Sequence, residues 1–599
     1  MIYHCEDHTC NYWDEGEKLP ERCPQCGRKL LRANEADMTG DDWTALGNTL
    51  WDAEASDKKR MVDCFRKAAY LGSAWGVCNL GICMEQGNGV EADPVQAFWL
   101  YQQAVEMGSL NAVCCLGVCY QYGIGTAPDA KQAAELYRKA AEYGSPRGQM
   151  LLAHAFHDGI GVEADAAEAV HWVRAAAYQR YGEGMHRLGV CYEYGDGVEQ
   201  NWERAVHWFR EAAESGVSVA MTDLGYCYEK GCGVEQSWEQ AFSWYRRGAE
   251  CGYPVSMSNL GLCYKRGYGV DQNWQEAIKW YEQGAQCGDL QSMHNLACCY
   301  ERGEGVEQNE ERALYWYRRS AEGGNGVAMC NLGWCYQRGY GVEQNEDRAL
   351  YWYRRGAEAG SDYCMYCLGW NYSNGEGVEQ NMTEAIRWYT AAAEGGNADA
   401  MHNLGWHYDH GEGVEQDMKK AICWYERAAE QNHPAAMNSL GECYAMGRGV
   451  PRDLETAMEW YRRAAELGEA MADYNMGWHL EQAGKLSEAY AHYRKAADGN
   501  DDSAWWALGR FYENGVVVAQ DGKEARRCYE TGEKLGSVKC KMRLARCKLL
   551  GIGGRREKKA GLDLCRQALE LAKESSEKED YGYEAEMNLL RRTIAENES

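Results

Sequence analysis

A Leu-Gly pair recurs along this chain every 36 residues, and this period constrains the fold more than any other feature. The interval stays constant over eleven steps, from Leu80 to Met476, with Ala occasionally in place of Gly. Three further starts lie outside the strict register, at Leu46, Leu508 and Leu544, which brings the count to fifteen. A period of this size predicts a stack of similar supersecondary units, each burying its apolar face against its neighbours.

Each unit is predicted to contain two helices. Leu224, Gly225 and Tyr228 recur at helical spacing in the first helix, which we call helix A. Gly225 lacks a side chain, so another helix can approach closely, and Gly231 and Gly233 supply the positive φ angles of a turn. An Asn follows the turn as an N-cap of the second helix, helix B, at positions 201, 309, 345 and 381. With no strand pattern in the repeats, the sequence predicts an all-α fold.

The pattern L-G-x-x-Y-x-x-G-x-G-V, then A-x-x-W-Y-x-x-A-A-E-x-G, resembles the Sel1-like repeat, a relative of the tetratricopeptide repeat. The resemblance implies a right-handed α-solenoid of about fifteen helix-turn-helix repeats over residues 35–555, with helices in 556–599 as a C-terminal cap. It also implies a concave face that binds proteins and no common enzymatic activity. The unit around Met476 lacks the Gly-x-Gly-Val turn and resembles a tetratricopeptide unit instead.

Residues 1–34 stand outside the repeat and carry a cysteine pattern typical of a structural zinc site. Cys5 and Cys10 precede Cys23 and Cys26, which lie in the segment PERCPQCGRK. Four thiolates suit tetrahedral zinc, and a segment this short depends on metal to fold. The second pair resembles a zinc-ribbon or rubredoxin-like knuckle, whereas the wider first pair departs from it, so His8 is an alternative ligand. We predict one structural Zn²⁺.

The charge and the cysteines bear on partners and compartment. The chain has 63 Lys+Arg against 91 Asp+Glu, a formal charge of −28, which argues against nucleic acid and anionic membranes as partners. The N-terminus has neither a basic start nor an apolar run, and no stretch is apolar enough for a membrane span. We therefore expect the 28 cysteines to be free thiols in a cytoplasmic protein. Cys364 and Cys367, close to Cys330 or Cys335 of the preceding unit, form a weaker candidate for a second metal or redox site.

The variable positions of helix A are the candidate partner-binding residues. Positions two before, two after and six after the repeated leucine are spaced by four and share one helical face. That face combines aromatic rings with cations, and we expect it to bind a protein or peptide with acidic and aromatic side chains. The predicted contact residues are Tyr226, Lys230, Arg266, Arg302, Trp334, Arg338, Tyr366, Trp370, His402, Trp406 and His410.

The sequence thus predicts a non-catalytic scaffold that holds a protein or peptide in its groove. It contains no phosphate loop, dinucleotide fingerprint or nucleophile elbow, and each Gly-x-Gly lies in an inter-helix turn. One alternative is a nucleic-acid-associated factor that uses the zinc segment as its reader. A second alternative is an enzyme or regulatory subunit with an unrecognised site in the groove.

Overall fold

The computed structural model describes residues 2–5, 13–15, 30–33, 38–51, 55–578 and 584–598. The chain divides into two compact units, Met1–Gln308 and Asn309–Ser599. Unit 1 begins with a three-stranded antiparallel sheet of order β2-β1-β3, formed by β1 (Ile2–Cys5), β2 (Trp13–Glu15) and β3 (Leu30–Ala33). Cys5 pairs with Leu30 in its register. The sequence pattern gave no signal for these short strands.

The helices of unit 1 form seven consecutive hairpins and the first helix of an eighth. They are α1 (Gly40–Thr49), α2 (Ala55–Tyr70), α3 (Ala74–Gln86), α4 (Pro94–Glu106), α5 (Leu110–Tyr122), α6 (Ala130–Glu142), α7 (Pro146–Asp158), α8 (Ala166–Tyr178), α9 (Gly182–Tyr194), α10 (Trp202–Glu214), α11 (Ser218–Lys230), α12 (Trp238–Glu250), α13 (Pro254–Arg266), α14 (Trp274–Gln286) and α15 (Leu290–Arg302). Odd-numbered helices are helix A and even-numbered helices are helix B.

Unit 2 contains one further helix B, seven hairpins and a last helix. They are α16 (Glu310–Glu322), α17 (Gly326–Arg338), α18 (Glu346–Glu358), α19 (Asp362–Asn374), α20 (Met382–Glu394), α21 (Ala398–His410), α22 (Met418–Glu430), α23 (Pro434–Met446), α24 (Leu454–Glu466), α25 (Ala470–Gln482), α26 (Leu486–Asp498), α27 (Asp502–Asn514), α28 (Gly522–Lys534), α29 (Val538–Leu550), α30 (Lys558–Lys578) and α31 (Glu584–Glu598). Of the two helices predicted as a cap, α30 packs on α29 as a helix B does, and α31 covers both.

The turns and caps form as the sequence predicts. Helix α11 ends at Gly231, which has φ +74°, and Gly233 follows with φ +69°. The Asn201 side chain accepts a hydrogen bond from the Arg204 backbone N–H and so caps α10. Because the same caps recur from repeat to repeat, nearly all the repeat helices of the described chain have the same length of 13 residues.

The glycine of the Leu-Gly pair lies against the buried tyrosine of helix B. A Cβ atom added at Gly333 would lie 2.5 Å from Tyr353 Cε1, and one added at Gly225 would lie 2.6 Å from Tyr245 Cε1. Both tyrosines are 1% exposed, and the Tyr353 hydroxyl donates to Gln337 Oε1 at 2.9 Å. The missing side chain therefore sets how closely the two helices of a hairpin pack.

The Arg-Arg pair of helix B serves packing as well. Arg354 Nη2 donates to the Tyr372 hydroxyl of the next helix A at 3.1 Å. The guanidinium of Arg355 lies 5.4 Å from the ring centroid of Trp352 one turn earlier in α18. In the described part of the chain, no helix is both long and apolar enough to cross a membrane.

Candidate partner-binding surface

Four tryptophans recur at one position of helix A in unit 2, two residues after the repeated leucine or its substitute Met476. A side chain at this place leaves the hairpin core and reaches the surface. Their exposed fractions are nearly equal, at 40% for Trp334, 44% for Trp370, 38% for Trp406 and 43% for Trp478. Large aromatic rings held at this exposure are typical of binding anchors, since a folded chain gains nothing from leaving them in water.

The position six residues after the leucine is also exposed, and in some helices its side chain contacts an aromatic ring one turn before it. In α21 the rings of Trp406 and His410 stack with centroids 4.3 Å apart. In α17, Arg338 and Trp334 occupy the same two places, and both are exposed. We name the exposed residues at these two positions the helix-A stripe.

Unit 1 has exposed residues at the same two positions, with more cations. Tyr226 is 44% exposed, and the Lys230 ammonium lies 5.7 Å from its ring centroid. Lys230 also pairs with Glu229 Oε1 at 2.8 Å, and this carboxylate raises the pKa of Lys230. Arg266 and Arg302 are exposed at the ends of α13 and α15. The predicted cations are thus at the surface.

The third predicted position, two before the leucine, is different. Tyr366 and His402 are half-buried between neighbouring helices and lie 6.0 Å from Tyr389 and 5.7 Å from Tyr425, measured between ring centroids. Burial, together with the nearby His433, lowers the pKa of His402 to about 4, so the ring is neutral at pH 7. These two residues therefore pack between the helices that carry the stripe and are not part of its exposed surface.

The sequence reasoning missed exposed apolar residues that lie next to the stripe on the same helices. Val327, Tyr363 and Met471 are 50%, 47% and 49% exposed, and each precedes a stripe tryptophan by seven residues. Seven residues are two helical turns, so each pair shares one face. This spacing was the available signal. In α19, Tyr363 and Trp370 thereby present two aromatic rings from one helix.

Other candidate sites are resolved in part. Cys330 and Cys367 lie with their sulfurs 3.4 Å apart, as the sequence suggested, and hydrogen bonds from the Cys330 thiol to Cys364 and Cys367, together with burial, raise the pKa of Cys330. Within the described ranges, no group of three or more Cys, His, Asp or Glu side chains is arranged to hold a metal ion. For the predicted zinc ligands, only the backbone of Cys5 is described; Cys10, Cys23, Cys26 and His8 lie outside the described residues.

A stack of helix hairpins that presents an aromatic surface defines a repeat protein of the binding-scaffold class. The Sel1 repeat model matches the chain in fourteen segments: 76–109, 112–145, 146–181, 182–217, 218–253, 254–289, 290–325, 326–361, 362–397, 398–433, 434–469, 470–501, 504–537 and 538–573. The chain therefore belongs to the Sel1 repeat family. Repeat arrays of this kind are typical of protein–protein interaction scaffolds.

Several solved structures are similar to the chain. One is c5321, described as a protective antigen present in uropathogenic Escherichia coli strains, with 33% identity over 75% of this chain and 97% of that one and a TM-score of 0.49. A Sel1 repeat protein from Oxalobacter formigenes has 33% identity, coverage of 41% and 96%, and a TM-score of 0.38. The immunity protein Pa5087 from Pseudomonas aeruginosa has 20% identity, coverage of 36% and 82%, and a TM-score of 0.29. None of the curated proteins matches the chain.

Proposed function

We propose that this protein is a non-catalytic scaffold that binds a protein or peptide along the helix-A stripe. The observation that carries the proposal is the row of tryptophans at one repeat position, Trp334, Trp370, Trp406 and Trp478, each about two-fifths exposed. A binding partner that covers these rings buries apolar area that the free chain leaves exposed to water, and this burial favours binding. Arg338 in unit 2, and separately Arg266 and Arg302 in unit 1, favour a partner segment with acidic residues beside its aromatic ones.

The polar groups near the stripe support binding over catalysis. Asp409, the buried carboxylate in α21, pairs with Arg448 at 2.9 Å. His402 is held neutral by burial, and its Nε2 lies 3.4 Å from Ser439 Oγ. Each of these side chains already has a partner in an adjacent repeat.

The test is affinity capture with the intact chain and a Trp334→Ala/Trp370→Ala/Arg338→Ala variant. We expect the variant to lose the partners that the wild type retains. The matched control is Tyr315→Ala/Tyr351→Ala, which removes rings that are 51% and 52% exposed on helices B. If the stripe variant and the control retain the same partners, with unchanged circular dichroism, the stripe is not the binding surface.

We further propose that residues 1–34 hold one structural Zn²⁺ through Cys5, Cys10, Cys23 and Cys26. The strand order supports the fit: Cys5 ends β1 opposite Leu30, the first residue of β3, and Cys26 precedes Leu30 by four residues. When bound, zinc would supply the cross-link that so short a segment needs. Elemental analysis is expected to find one zinc per chain and none in Cys23→Ser/Cys26→Ser. Metal-free wild type would refute the site, and loss of metal after His8→Ala but not after Cys10→Ser would replace Cys10 by His8.

For the compartment we propose the cytoplasm, because the cysteines of the described residues are free thiols, which suits a reducing environment. Fractionation of the native host cells tests this placement. Recovery in a secreted or membrane fraction would refute it.

A further inference from the structure

In the regular repeats, the linker between helices A and B covers the first turn of the preceding helix B. The linker of α23 and α24 shows this contact: a Cβ atom added at Gly449 would lie 2.7 Å from Met418 Cβ, at the start of α22. Ile422, one turn further along α22, is only 7% exposed as a result. In unit 1 the linker ring of Tyr268 stacks on Trp238, the first residue of α12, at 4.1 Å.

One linker is too short to make this contact. Helix α25 ends at Gln482 and α26 begins at Leu486, so three residues join them, whereas the seven residues 447–453 join α23 and α24. The start of α24 therefore lies uncovered. Leu454, the counterpart of Met418, is 39% exposed, and Met458, the counterpart of Ile422, is only half-buried.

The missing linker leaves an open groove of about 1030 Å³ between α24, α25 and α26. Its apolar lining consists of Leu454, Met458, Ala465, Met476 and Leu480. A groove of this volume accommodates several residues of an extended peptide. We name it the short-linker groove.

The rim of the short-linker groove is acidic. It carries the five carboxylates Glu455, Glu459, Glu466, Asp473 and Glu488 against the permanent cations Arg462 and Lys495, and Lys485 lies beside it, 3.8 Å from Glu488. Arg462 forms an ion pair with Glu459, and His492 Nδ1 lies 2.7 Å from Asp473 Oδ1. An occupant with basic residues is therefore favoured at the rim.

We propose that the short-linker groove binds an extended segment of a partner protein that replaces the missing linker. The chain's other linkers indicate the chemistry of this segment. A branched apolar residue takes the place of the linker valine, small residues allow close approach to α24, and basic residues meet the carboxylates of the rim. This second surface is independent of the helix-A stripe.

The probe is a synthetic peptide with the sequence of residues 265–270 of this chain, KRGYGV, which combines two cations with a linker sequence. Saturation-transfer difference NMR at millimolar peptide detects weak binding to the full-length protein. We expect KRGYGV to bind and a peptide with Glu at its first two positions to bind at least about tenfold more weakly.

The decisive variant restores the linker, with residues 483–485 replaced by the seven-residue sequence GYGVEQN of residues 339–345. The inserted linker makes the same contacts as the linkers of the neighbouring repeats, so the variant is expected to fold. It should also fill the groove and prevent the peptide from binding. Leu454→Glu, a change at an exposed position, should weaken binding as well. Trp334→Ala/Trp370→Ala should leave it unchanged, which separates this site from the stripe.

Two results would overturn the proposal: absence of any KRGYGV signal with the wild type, or equal affinity for the wild type and the linker-restored variant. If the linker-restored variant unfolds, Leu454→Glu and the acidic peptide decide the question, since retention of full affinity by both is equally incompatible with the groove.

Discussion

Gly333 faces the ring of Tyr353, and this contact allows a quantitative test of how the hairpins pack. An alanine at position 333 would bring its Cβ within 2.5 Å of Tyr353 Cε1, so the helices must separate or the ring must shift. Two other units pair alanine with a smaller residue twenty positions later: Ala153 packs in one cluster with Val173, and Ala545 in one cluster with Cys565. In these two repeats the chain thus combines the larger residue at the first position with a smaller residue at the second.

The magnitude follows from two opposing effects. Overpacking of a buried contact costs roughly 2 kcal/mol, and replacing a mid-helix glycine by alanine gains about 1 kcal/mol of helix propensity. We expect Gly333→Ala to destabilise the hairpin by about 1 kcal/mol. The cost must be modest, since Ala297 precedes Tyr317 by the same twenty residues. With Tyr353→Val as background the clash disappears, and Gly333→Ala should stabilise by about 1 kcal/mol.

The assay is native-state hydrogen exchange of the amides in α17 and α18 in the four chains of the double-mutant cycle. A coupling free energy of about 2 kcal/mol, of the sign that favours the double variant, is the expected result. Equal effects of Gly333→Ala in both backgrounds would refute the view that the tyrosine ring sets the helix separation.

Three further predictions concern strain, the C-terminal cap and pH. Val517 has φ +65° where other linkers have glycine. Val517→Gly should therefore raise the free energy of local unfolding by about 1 kcal/mol, measured by hydrogen exchange of the amides in α27 and α28. The control Val516→Gly should lower this free energy. Arg543 forms a bidentate, mostly buried ion pair with Glu586 at 2.7 Å. Arg543→Ala should therefore lower the free energy of unfolding of this region by about 3 kcal/mol and accelerate hydrogen exchange in α31. Unchanged exchange would contradict this prediction. His402 has a pKa of about 4 when folded against about 6.5 when unfolded, so about 3 kcal/mol of stability present at neutral pH is lost as the pH falls from about 6.5 to about 4. His402→Gln should reduce the pH dependence of the urea midpoint of unfolding over that range. An unchanged pH profile in this variant would contradict the assignment.

Most of the helical architecture was predictable from the sequence because each unit repeats a complete set of local instructions. Asn201 and Gly231 act within one or two turns, so their roles as cap and turn do not depend on distant residues. The buried tyrosines follow from a helical period with a fixed phase. The shortened linker before Leu486 was visible as well, as a departure from the repeat.

Only the tertiary structure decided which side chains are available to a partner. Helical spacing places His402 and Trp406 on one face, but the neighbouring helices cover His402 and leave Trp406 at 38% exposure. The short-linker groove arises because a missing linker uncovers Leu454, about thirty residues earlier in the chain. Local sequence therefore determined the repeating helices, whereas the packing between successive units, which depends on the lengths and tilts of whole elements, determined the surfaces on which binding rests.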